Sequence, residues 1–138
     1  MNEKNILKFI QEHRKNTLAE HLGMVVTSAA MEKVEGKMPV DKRTKQPLGY
    51  LHGGASVAFA ETLGSIAGTL NVNYPSEIVV GAEINANHIK STKSGWVYGK
   101  ATAVHIGKRT HVWDIQISND KNQLVCISRL TLAVVKKG

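Results

Sequence analysis

Residues 53–72 constrain this chain more than any other segment. They carry apolar side chains such as Ala55, Phe59, Leu63, Ile66 and Leu70, and one ionisable group, Glu61. The stretch is too long for an ordinary strand. Apolar positions 55, 58/59, 63, 66/67 and 70 form a stripe at helical spacing. Much of the remainder is small or apolar too, which predicts a helix buried nearly all round. Whatever else folds here must wrap that helix.

The rest of the chain supplies a wrapping. Residues 3–15 read as a short amphipathic helix, with Ile6, Leu7 and Ile10 at helical spacing. A second short helix is predicted over residues 18–22, stopped by Gly23. Residues 24–40 turn β-like, and residues 42–49 form a polar loop containing Pro47. After Pro75 strands are predicted near residues 77–89, 95–106, 109–118 and 123–135. Ile115 and Ile117 alternate with Gln116 and Ser118, as a half-buried strand requires. Asn119 to Asn122, Lys93 to Gly95, and Gly107 with Lys108 supply turns. The layout is α+β: an antiparallel sheet with helices segregated to one side. The whole chain, residues 1–138, reads as one domain with residues 1–17 as an N-terminal helical extension.

Composition narrows the function. Aromatics are 5% of the chain, so Val, Ile, Leu and Ala must build the core, and Trp96 and Trp113 read as packing residues. A single cysteine, Cys126, excludes an intramolecular disulfide and reads as core. No run of about 18 apolar residues predicts a membrane span. The first fifteen residues do not read as a secretory signal, so the cytoplasm is the expected location. The formal charge of +7 is spread over small groups: Lys42, Arg43 and Lys45; Lys90 and Lys93; Lys108 and Arg109; Lys136 and Lys137. No zinc-finger, basic-zipper or aromatic RNA-binding motif accompanies them, so an anionic small molecule is a better partner than nucleic acid or a membrane. Scattered histidines without ligand spacing predict no metal site. A Gly-x-Ser-x-Gly elbow, a phosphate-binding Walker loop and a dinucleotide fingerprint are missing from the sequence.

Glu61 is out of place on solvation grounds. Full burial of an unpaired carboxylate costs several kcal/mol or more, so either that face of the helix is open, the carboxylate is paired, or it has work to do. Its approach favours work. Leu51-His52-Gly53-Gly54-Ala55 leads directly into the helix. Two glycines admit a ligand to the backbone, and free N–H groups at a helix start form an oxyanion site. Gly53 and Glu61 are eight residues apart, about 12 Å along a helix and turned about 80°. Reacting atoms must come within about 3–3.5 Å, so one carbonyl carbon cannot meet both. If both act in one reaction they come from different chains, which predicts a homodimer with shared sites.

The run from Asp41 to Ser56, with Gln46, Pro47, Leu48, Gly49, His52, Gly53 and Gly54, then Ala60-Glu61 and Gly64-Ser65, resembles the hotdog-fold thioesterases. The resemblance continues through Val80-Gly81-Ala82-Glu83 to His88 and through Ser128-Arg129-Leu130-Thr131. It is strongest to the branch with 4-hydroxybenzoyl-CoA thioesterase of the Arthrobacter type, 1,4-dihydroxy-2-naphthoyl-CoA hydrolase and the phenylacetate-pathway thioesterases. It implies a sheet of about five or six strands around one long helix, and dimers that pair into tetramers. It implies hydrolysis of an acyl-CoA thioester, an aromatic acyl group leading, with coenzyme A as part of the substrate and no separate cofactor. Glu61 would be nucleophile or general base, and Gly53 would give the polarising N–H. Gln46 and His52 would orient the thioester or the water, and Ser65 would help place water or the acyl group. The nucleotide contacts would come from Gly81, from His88-Ile89-Lys90-Ser91 and from His105-Ile106-Gly107-Lys108-Arg109-Thr110. Lys90 stands where relatives often have Arg, which leaves a point charge rather than a bidentate partner. The rival readings are a hotdog hydratase or dehydratase, a non-catalytic acyl-CoA-binding protein, and a broad-range acyl-CoA or acyl-carrier-protein thioesterase.

Overall fold

The computed structural model describes residues 2–137. Three helices precede or cross one sheet: α1 (Glu3–His13), α2 (Leu18–His21) and α3 (Gly53–Thr69). The strands are β1 (Val25–Ala30), β2 (Lys33–Pro39), β3 (Glu77–His88), β4 (Trp96–Ile106), β5 (Thr110–Asn119) and β6 (Leu124–Lys136). They form a single antiparallel sheet in the order β1-β2-β4-β5-β6-β3. This is the six-stranded wrapping that the resemblance implied. The β-like segment of residues 24–40 is a hairpin of two strands, β1 and β2. Within β4–β5, Gly107 N–H donates to Thr110 O at 2.9 Å across the tight turn. Gly95, at φ 82°, makes the turn before β4 in the left-handed region that favours glycine.

The core follows from alternation. Along β5, His111, Trp113, Ile115 and Ile117 point inward and are buried. Trp113 is fully enclosed, while Trp96 is half-buried beneath Lys37, whose Nζ lies 4.4 Å from the ring centroid. Cys126 is buried, and burial pushes its thiol above the usual range, so it rests protonated in the core. α3 lies against the concave face of the sheet. Phe59 and Leu63 settle over Gly36 and Gly99, which are directly paired across β2 and β4. A Cβ on Gly99 would stand 2.5 Å from Leu63 Cδ1 and 2.9 Å from Phe59 Cε2, so glycine there sets how closely helix and sheet approach. Enclosing each of these two side chains contributes about 2–3 kcal/mol.

One expectation needs correcting. α3 is not buried nearly all round. Ala55, Ser56, Phe59, Ala60, Leu63 and Gly64 are buried against the sheet, but Ala58, Glu61, Thr62, Ser65 and Ile66 are only half-buried. The sheet covers one side of the helix, while α1 packs on β1 and leaves a cavity between itself and the other side. Small side chains on the second face made it look interior in sequence. At the edge of the sheet β3 is largely exposed along its length, with Val80 44% exposed. Among the described residues no helix is long and apolar enough to cross a membrane.

Candidate active site

The loop before α3 is tied down at several points. Gln46 N–H donates to Tyr50 O at 2.8 Å, Leu51 N–H to Thr92 O at 2.8 Å, and His52 N–H to Thr44 O at 2.8 Å. Thr44, itself buried, donates through its hydroxyl to Pro39 O at 2.7 Å. Gln46 Oε1 accepts from the Leu48 N–H, which leaves the side-chain amide NH2 as its outward donor. Arg43 is occupied nearby: its Nη2 lies 2.7 Å from Asp41 Oδ2 and its bonds to Asp41 hold that carboxyl below its usual range. Arg43 therefore closes the loop.

His52 is the N-cap of α3. Its Nδ1 accepts from Gly54 N–H at 2.7 Å, and its carbonyl accepts from Ala55 N–H at 3.0 Å and Ser56 N–H at 3.2 Å. With Nδ1 accepting, a neutral ring carries its proton on Nε2. Three of the first four amides of α3 are thus used. Gly53 N–H is the remaining one and has no partner among the described residues. It belongs to a cavity of about 340 Å³ that Gln46, Tyr50, Ser56, His88 and Lys90 also line. His88 stands close over Gly53: a Cβ there would come within 2.9 Å of its Nε2. Ile89 and Lys90 are fixed at the strand end, their N–H groups donating to Val125 O at 2.8 and 3.3 Å. Lys93 Nζ sits 5.0 Å from the Tyr50 ring centroid, on an aromatic that lines the same cavity.

Glu61 lies elsewhere. It and Ser65 line a second cavity of about 570 Å³ between α1 and α3. The ion pairs among the described residues are Lys33–Glu35 and Arg43–Asp41, so Glu61 is in neither. Its carboxylate rests on β3 at Gly81, where a Cβ would collide with Oε2. Gly81 also begins a register shift in the β3–β6 pairing, between Gly81 and Glu83.

The sequence-predicted residues therefore fall into three groups. Gln46, Gly53 and His88 to Ser91 share one cavity; His52 caps the helix next to Gly53 but lines neither cavity. Glu61 and Ser65 line the other, and Gly81 touches the Glu61 carboxylate from β3. His105 to Thr110 form the β4–β5 hairpin, at the opposite end of the sheet from His88. His88 is level with Cys126 on β6 and Thr110 with Ala133, a separation of about 23 Å along a strand. Sequence reasoning missed Phe9, His13 and Arg14, which line the Glu61 cavity from α1. The signal was present: residues 9, 10, 13, 14 and 17 form a second helical stripe beside the Ile6–Ile10 one.

Chemically, one cavity presents a free amide donor at a helix start and the other an unpaired carboxylate. That pair suits attack on a carbonyl that gains negative charge in its transition state. The family described as Thioesterase superfamily matches residues 48–126. The chain is 46% identical over 120 residues to a protein named 1,4-dihydroxy-2-naphthoyl-CoA hydrolase in Listeria monocytogenes, covering 87% of this chain and 97% of that one. It is 44% identical over 119 residues to one named proofreading thioesterase EntH in Cronobacter sakazakii, covering 86% of each. The crystal structure of thioesterase HI1161 from Haemophilus influenzae superposes with a TM-score of 0.90 at 44% identity, covering 94% of this chain and 90% of that one.

Proposed function

Because the chain belongs to the thioesterase superfamily and is a hydrolase of hotdog fold, we propose that it cleaves an acyl-CoA thioester, an aromatic acyl group foremost, with Glu61 and Gly53 facing each other across a homodimer. The reaction is acyl-S-CoA plus water giving the free acid and coenzyme A. Gly53 N–H, backed by the positive end of the α3 dipole, stabilises the oxygen of the tetrahedral species. Glu61 either takes a proton from the attacking water or attacks the carbonyl itself to form an anhydride that water then opens. Gln46, through its free amide, and His52, through Nε2–H, donate toward the thioester or the water, and Ser65 places water or the acyl group.

The observation that carries this reading is the separation itself. The unpartnered Gly53 amide and the unpaired Glu61 carboxylate open into different cavities of one chain. A second copy brings them together if two exposed β3 edges pair antiparallel. The same pairing sets the His88 end of one chain beside the hairpin end of the other. The basic groups at Lys90, Lys108 and Arg109 then converge on the phosphates of one coenzyme A. Coenzyme A enters as substrate, and the proposal needs no other cofactor. Two dimers associate into a tetramer in this reading.

A panel of acyl-CoA thioesters assayed for thiol release tests it: benzoyl, 4-hydroxybenzoyl, 1,4-dihydroxy-2-naphthoyl and medium-chain acyls. Aromatic thioesters should turn over fastest. Glu61→Ala should lower kcat by several orders of magnitude with the circular-dichroism spectrum unchanged. Binding of every thioester without release of thiol by the wild-type protein would leave an acyl-CoA-binding protein instead. Single turnover in oxygen-18 water separates the two chemical routes, since label entering Glu61 marks the anhydride.

A further inference from the structure

α3 opens with one amide that its own first turn does not use, that of Gly53. An oxygen that gains charge in a transition state is ordinarily held by more than one donor. The helix carries a second one. Ser56 follows Gly53 by three residues and shares its face of α3. Cα–Cβ bonds lean toward a helix start, which sets the Ser56 side chain over the turn that Gly53 opens. Both residues line the cavity of about 340 Å³.

The hydroxyl of Ser56 is idle. The threonines of α3 return theirs to the helix: Thr62 donates to Ala58 O at 2.7 Å and Thr69 to Ser65 O at 2.8 Å. Ser56 does not do the same with His52 O, which already accepts from the Ala55 and Ser56 amides. Its residue is only 1% exposed. Among the described residues, Arg14 Nη1 is the side-chain polar atom that is sealed from solvent without a partner. The Ser56 hydroxyl, unpartnered too, is therefore not sealed, and the cavity is where the residue opens. Packing asks for no hydroxyl here, for Ala55, Ala58 and Ala60 fill neighbouring positions. A nearly buried donor facing a cavity calls for an acceptor that enters it.

We propose that Ser56 is a second catalytic donor, and that its hydroxyl and the Gly53 N–H together hold the carbonyl oxygen of the thioester. Attack at the carbonyl carbon moves the C=O π pair onto that oxygen, where both donors meet the charge. Collapse returns the pair, re-forms the carbonyl and expels coenzyme A as its thiolate, so Ser56 keeps its proton throughout. His88 stands close over the same turn. It holds bulk water off the two donors, which strengthens both bonds. The inference rests on the thioester-hydrolase reading above and adds a catalytic residue to it.

Steady-state kinetics of three variants test it, with benzoyl-CoA and the other thioesters of the panel above. Ser56→Ala should lower kcat about 100-fold and leave KM within about threefold. Ser56→Cys keeps the size and exchanges a strong donor for a weak one, whereas Ser56→Thr keeps the donor and adds a methyl group. A packing role ranks Ser56→Cys above Ser56→Thr, and a donor role ranks them the other way. The kcat of Ser56→Thr should exceed that of Ser56→Cys by about 10-fold. An equal or reversed ranking overturns the proposal, as does a loss in Ser56→Ala that falls on KM with kcat held. Should circular dichroism show Ser56→Thr unfolded, Ser56→Cys decides alone: a kcat within about threefold of wild type overturns the proposal and a larger fall sustains it. Absence of thiol release from every thioester by the wild-type protein is a different result. It ends the hydrolase reading itself and this inference with it.

Discussion

The imidazole of His52 is held by the bond that starts α3, so helix initiation and the choice of ring tautomer are one event. Next to it, Gly53 occupies the first helical position, where proline is well tolerated. Two substitutions therefore separate the amide from the space around it. Gly53→Ala keeps the N–H and adds a Cβ near His88, whereas Gly53→Pro adds a similar bulk and removes the donor. Steady-state kinetics should show Gly53→Pro losing about 100-fold or more in kcat relative to Gly53→Ala. A second residue-scale prediction concerns His111, 1% exposed on β5 and close to Trp113. Burial, helped by nearby His105, lowers its pKa from the usual 6.5. The unfolded chain then binds a proton more readily than the folded one. The stabilisation from this ring is complete above about pH 6.5 and is lost as pH falls toward the depressed value. Urea midpoints measured at pH 7.5 and pH 5.5 should fall on acidification, and His111→Gln should fall less. Glu61 was legible because a lone carboxylate in an apolar helix is a conflict that local pattern does not resolve. Arg14 was not, since an arginine near a helix end reads as ordinary surface until it is seen lining the Glu61 cavity.

At the scale of elements, periodicity carried most of the information. β3 to β6 and α3 lie within a few residues of where alternation and the helical stripe put them. The division of residues 24–40 into β1 and β2 was invisible because the turn between them is Met31-Glu32, with neither glycine nor proline to mark it. The half-open face of α3 was invisible because small residues serve both tight packing and cavity walls. Two glycines test how elements meet. Gly99→Val should push α3 off the sheet at Phe59 and Leu63 and cost about 1–3 kcal/mol in a denaturant titration. Gly81→Ala should instead spare stability, because β3 is an exposed edge strand, but displace the Glu61 carboxylate and lower kcat.

For the whole molecule, the proposed division of labour between two cavities has a stoichiometric test. Glu61→Ala and Gly53→Pro subunits should each be nearly inactive alone. Mixed and allowed to exchange, they form hybrids in which one site is intact and the other doubly substituted. Half of the dimers are hybrids and half of their sites work, so about a quarter of wild-type activity should return. No recovery would place both groups in one chain's own site. The exposed β3 edge draws out a further consequence. An assembly that is also the reactor dies on dilution: below the dissociation constant of the pair, rate would fall with the square of protein concentration rather than in proportion to it. On the proposed shared site, a separated subunit would have no complete place to do chemistry, which would make abundance itself a brake on the reaction.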